Sequence, residues 1–229
     1  MERRAFETPL GEIWLWGEWG DESKPLVLAI HGAFALEKLP LQEMQRFIPQ
    51  AQLIWTHLPG NHCPELSETS VEAFARALEC ALPNRPTLIV GESVGALVAL
   101  MIRSPQVQRR LLIDPPFRTD HPALGGRLTG MFPTDDYRFL LDRIDSPTWV
   151  MVGGNEGLRT GRLPSLVGPE ERNRLAQHPL VKFVLVRDAG HNVVAAAVMT
   201  VVRATQLLVE QLDNDLHKDS DQPPVSARA

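Results

Sequence analysis

Ser93 lies in Gly91-Glu92-Ser93-Val94-Gly95, between the apolar runs Thr87–Val90 and Ala96–Ile102. That order predicts a buried strand, a tight turn carrying the serine, and then a helix. A serine on such a turn presents its hydroxyl at the end of a sheet, where it can act as a nucleophile. Glycines two positions before and after it permit close backbone approach. The Val94 N–H opens the helix and has no acceptor within it, so it can face a developing negative charge. The plain alternative is a glycine-rich turn whose serine caps the helix.

A serine hydroxyl needs a base to take its proton and a third group to orient that base. His191, in Asp188-Ala189-Gly190-His191-Asn192, follows the last strand-like run, and Gly190 lets the backbone turn there. Two carboxylates compete for the third role. Glu156 follows Val152-Gly153-Gly154-Asn155, and Asp114 closes the run Arg110–Asp114 before Pro115-Pro116. Both satisfy the order serine, acid, histidine. Glu156 is placed first for its glycine-rich approach, with Asp114 as the alternative acid. A second oxyanion donor is expected from Ala33 or Phe34, after the strand that ends at Ile30, because Gly32 permits an unusual backbone there.

These residues need a scaffold, and strand and helix patterns alternate along the chain. Strands are expected at 12–16, 25–30, 51–56, 87–90, 110–114, 147–152 and 181–186. Helices are expected at 36–47, 70–82 with Ser70 as cap, 169–177 and 193–212, and a short helical run at 135–141. Near-continuous apolar strands predict a mostly parallel sheet covered on both faces. Ligands in such sheets bind beyond the carboxyl ends of the strands, where Ser93, Glu156 and His191 fall.

Composition limits the alternatives. The 229 residues are 44% hydrophobic and 22% charged, with a net charge of −5 and no basic stripe to meet nucleic acid or an anionic membrane. The two cysteines, Cys63 and Cys80, make neither a disulfide framework nor zinc-ligand spacing. Cys80 is expected in a helix core and Cys63 in a loop. His57, His62 and Cys63 are read as a plain loop with no metal. No apolar run is long enough to span a membrane, and the first residues do not form a signal peptide, so a cytoplasmic protein is expected.

Taken together, the motifs resemble the α/β-hydrolase fold family in its compact serine esterase and lipase-like branch. The residues that carry the likeness are His31-Gly32-Ala33-Phe34, Leu58-Pro59-Gly60, Gly91-Glu92-Ser93-Val94-Gly95, Ile144-Asp145-Ser146-Pro147 leading to Glu156, and Gly190-His191. They span residues from about 8 to 212 in the family's order. The resemblance implies a central sheet of about eight strands, helices on both faces and a small cap. It implies Ser93 as nucleophile, Glu156 as acid, His191 as base, and backbone donors at Ala33 and Val94.

One hydrolase domain is then expected over 1–212, with the cap at 117–145 and a polar, disordered tail over 213–229. Phe34, Phe117, Met131, Phe132 and Tyr137 are candidate cap or pocket residues. The expected activity is hydrolysis of a carboxylic ester or thioester of a small-molecule acyl substrate, without a cofactor, by a monomer or homodimer. Other chemistries open to the scaffold are C–C bond, lactone or amide hydrolysis and acyl transfer. A non-catalytic ligand-binding role is the alternative from another class. Three departures stand out: glutamate at the acid position, His57 where the family has aspartate, and a short cap.

Overall fold

The computed structural model describes residues 2–33, 39–120, 136–154 and 163–220, with side chains through Asp215. Eight strands form one sheet in the order β1-β2-β4-β3-β5-β6-β7-β8. They are β1 (Glu2–Thr8), β2 (Gly11–Gly17), β3 (Leu26–Ile30), β4 (Gln52–Thr56), β5 (Thr87–Glu92), β6 (Val107–Ile113), β7 (Thr148–Gly153) and β8 (Val181–Val186). The pairs β1–β2 and β2–β4 are antiparallel, and every other pair is parallel.

Alternation along the strands divides the core. Leu26, Leu28 and Ile30 of β3 face the cluster that holds Phe74, Leu78, Leu97 and Leu175. Val27 and Ala29 face the other cluster, with Met44, Val201, Leu208 and Leu212. Successive strand side chains point to opposite faces, so a strand covered on both sides must be apolar throughout. The helices α2 (Val71–Ala81), α3 (Val94–Met101) and α4 (Pro169–Gln177) cover the first face, and α1 (Leu41–Phe47), α5 (Val193–Ala196) and α6 (Val198–Ser220) cover the second. Ser70 caps α2 as its type predicts, accepting the Ala73 N–H at 2.9 Å. Such a cap contributes about 1 kcal/mol.

Several expectations change here. Strand β1 was not foreseen; its residues are mostly exposed, so it has no apolar face to announce it. The helix expected over 193–212 is two helices with a break at Ala197. The tail expected to begin at 213 is helical as far as Ser220. Leu208, Val209 and Leu212 anchor that end of α6, and Asp215 pairs with Arg109 of β6.

Cys63 is in a loop and Cys80 on a helix as expected, but the buried one is Cys63. Cys63 is 6% exposed and its Sγ accepts the Trp14 N–H, while Cys80 is exposed on α2. Burial pushes the Cys63 thiol pKa up, leaving less reactive thiolate near neutral pH. We therefore predict that a disulfide reagent titrates one thiol quickly in the folded protein and the second only on unfolding. Cys80→Ser should abolish the fast phase; a fast phase that survives in Cys80→Ser would refute this assignment.

Candidate active site

The serine turn is built as the sequence requires. Ser93 has φ +54° and ψ −121°, a left-handed conformation that costs on the order of 1–3 kcal/mol for a residue with a side chain. Its N–H donates to Ile113 O at 2.8 Å and its carbonyl accepts the Ala96 N–H at 2.9 Å, so sheet and helix both hold it. The flanking glycines are steric requirements. A Cβ on Gly91 would lie 2.5 Å from Gly95 O, and one on Gly95 would lie 2.3 Å from Ile30 O. Neither backbone oxygen can yield without moving the sheet or the helix.

His191 reaches Ser93 from the loop after β8. The Ser93 hydroxyl donates to His191 Nε2 at 2.9 Å, and His191 Nδ1–H donates to Asp114 Oδ2 at 2.7 Å. A carboxylate accepts but cannot donate, so this arrangement keeps the proton on Nδ1 and leaves Nε2 open for the serine proton. The His191 backbone N–H donates to Leu163 O at 2.9 Å, fixing the loop. Ser93 and His191 are each 6% exposed, and Asp114 is fully buried.

The ring nitrogen expected to meet Glu156 is thus bonded to the alternative acid, Asp114. Glu156 itself lies outside the described residues. Asp114 directly follows β6 at φ +45°, a conformation that aspartate tolerates better than most residues. Its N–H donates to Met151 O at 2.8 Å. Its Oδ1 accepts from Gly153 N–H (3.0 Å) and the Ser165 hydroxyl (2.6 Å), and its Oδ2 also accepts from Leu166 N–H (2.9 Å). Four donors therefore fix the position of this one buried carboxylate. Arg172 braces the donors' segment by donating to Val167 O and Gly153 O, each at 2.8 Å.

The glycines before Glu156 have another physical reason. A Cβ on Gly153 would lie 2.3 Å from Gly190 O and 2.6 Å from Ala189 O. Gly153 therefore lets the end of β7 touch the histidine loop and offers its amide to Asp114. The amides of Gly153 and Leu166 have no side-chain signature, and sequence reasoning missed them together with Ser165.

At the expected oxyanion position, Val94 is the first residue of α3, where an N–H has no intrahelical acceptor. Ala33 is half-buried and follows Gly32, whose N–H donates to Glu92 Oε2 at 2.9 Å. Of the expected pocket residues, Phe117 and Tyr137 are fully buried in the core, joined by the Tyr137 N–H to Phe117 O bond of 2.7 Å. Phe34, Met131 and Phe132 lie outside the described residues. A small apolar cavity lies beside Val94, walled by Leu58, Pro59, Val71, Phe74, Val94 and Val98, with Thr69 and Ser70 at its edge. His57 stacks on His31 with ring centroids 4.8 Å apart. Among the described residues, no group of three or more histidine, cysteine, aspartate or glutamate side chains is arranged to hold a metal ion.

The architecture is shared with many solved structures. An esterase from Thermogutta terrifontis is 19% identical, with 93% of this chain and 99% of that chain covered and a TM-score of 0.67. A thioesterase domain from the curacin biosynthetic pathway is 20% identical over 91% and 98% of the two chains, TM-score 0.64. A bromoperoxidase from Bacillus anthracis is 16% identical over 92% and 100%, TM-score 0.64. No protein-family profile and no curated protein sequence matches the chain. At these identities the likeness establishes architecture: the chain has the α/β-hydrolase fold. No helix among the described residues is long and apolar enough to cross a membrane.

Proposed function

We propose that this protein is a serine hydrolase that cleaves a carboxylic ester or thioester through an acyl-enzyme on Ser93. The observation that carries the reading is the hydrogen-bonded line from Ser93 through His191 to Asp114. Ser93 Oγ attacks the acyl carbon as its proton passes to His191 Nε2. Asp114 orients the ring and stabilises the imidazolium. The N–H groups of Val94 and Ala33 stabilise the oxyanion. Collapse of the tetrahedral species breaks the bond to the leaving alkoxide or thiolate, which takes the proton from Nε2. Water then attacks the acyl-enzyme and gives a proton to Nε2; as the second tetrahedral species collapses, Ser93 Oγ leaves, takes that proton back, and the acid is released.

The cavity beside Val94 suits a short apolar acyl group, since its walls offer almost no polar partners. Structural neighbours that include an esterase and a thioesterase domain support acyl chemistry on this scaffold. A series of p-nitrophenyl esters from acetate to octanoate tests the reading, together with a fluorophosphonate probe. Native protein should turn over the short esters fastest and take the probe on Ser93. Ser93→Ala should lose the label and about 10⁴-fold or more of kcat. A native protein that neither takes the probe nor cleaves any ester would refute the proposal.

A further inference from the structure

Glu92 is the last residue of β5 and is 1% exposed. Its Oε2 accepts the Gly32 N–H at 2.9 Å, a bond between residues sixty positions apart. The main chain leaves the sheet at this point, as the His31 N–H still donates to Thr56 O at 3.3 Å. Gly32 is pressed against both its acceptor and the nucleophile. A Cβ there would lie 2.3 Å from Glu92 Oε2 and 2.9 Å from Ser93 Cβ. The peptide before Gly32, one residue ahead of Ala33, is therefore held by a side chain that adjoins Ser93 in sequence.

We propose that Glu92 is a positioning residue for the oxyanion loop. Its carboxylate holds the Gly32 amide and so keeps the Ala33 N–H at the distance from Ser93 that the transition state needs. This rests on the serine hydrolase reading. A misplaced donor weakens binding of the tetrahedral species more than binding of the ester, so the loss falls on kcat rather than KM. The acceptor oxygen is what matters here. Glutamine retains one, leucine has none, and aspartate is one methylene too short to reach.

The test compares Glu92→Gln, Glu92→Leu and native protein on p-nitrophenyl acetate, with active sites counted by fluorophosphonate titration. Per titrated site, Glu92→Leu should lose roughly 10- to 100-fold in kcat with KM within about threefold, and Glu92→Gln should stay within about fivefold of native. If Glu92→Leu does not fold, Glu92→Asp carries the same expectation as Glu92→Leu. A purely structural role would lower the fraction of active sites and leave kcat per site unchanged, which overturns the proposal. Equal losses in Glu92→Gln and Glu92→Leu overturn it as well. In either of those cases native turnover leaves the hydrolase reading intact. A native protein inert to probe and ester overturns both.

Discussion

Asp114→Asn is expected to lower kcat for an activated ester by about 10³- to 10⁴-fold, while Glu156→Gln stays within about twofold of native. Asparagine places an amide where one carboxylate oxygen now stands, among four donors that all need an acceptor. An amide turned toward His191 would donate to Nδ1 and force the ring proton onto Nε2. That is the wrong tautomer for taking the proton of Ser93. Steady-state kinetics on a p-nitrophenyl ester, with a thermal melt to confirm folding, read the effect. A deep loss in Glu156→Gln with a mild one in Asp114→Asn would return the acid to the loop after β7.

The second large effect concerns stability. Arg110 is 2% exposed in the middle of β6, four residues before Asp114. Its Nε donates to Ala99 O (3.0 Å) and its Nη2 to Ile102 O (2.9 Å), at the carboxyl end of α3. Its Nη1 donates to Asp145 Oδ1 at 2.9 Å and to the Ser146 hydroxyl. Helix carbonyls in the last turn have no partners within the helix, and a cation there also opposes the helix dipole. Burial pushes the Arg110 pKa down and Asp145 partly offsets it.

Arg110→Ala leaves the α3 carbonyls buried without these donors and opens a cavity. We expect a loss of about 3 kcal/mol, or a fall in Tm of about 6–12 °C for a chain of this size. Asp145 is 54% exposed, so solvent screens its side of the pair, and Asp145→Ala should cost no more than about 1 kcal/mol. Calorimetry of the two variants measures this. Equal costs would show that the ion pair matters and the helix cap does not.

Two members of the candidate site are legible in the sequence, and the third is left between two carboxylates. Ser93 was legible because its turn needs glycines at fixed positions, and those positions are close backbone contacts in the fold. His191 was legible from its place after the last strand. The sequence ranks Glu156 first because glycines precede it, whereas the structure bonds His191 Nδ1 to Asp114, the alternative acid. Gly153 instead serves the approach of β7 to the histidine loop. The signal for Asp114 is an acidic residue closing the apolar run Leu111-Leu112-Ile113, beside the strand that leads to the serine. Central strands were legible because they are apolar on both faces. The edge strand β1 was not, since Glu2, Arg3 and Arg4 are exposed. The break at Ala197 has no residue-type signal.

Ser93 and Asp114 are both held by the last rungs of the sheet, through Ile113 O and Met151 O, on neighbouring strands. The proposed nucleophile and acid are thus tied to the adjacent strands β5 and β6, and their spacing is set by the register of the sheet. Beyond β7 the chain returns to this frame at Leu163, Ser165 and Leu166, so a change that displaces those three contacts reaches Asp114 and His191 without altering either residue.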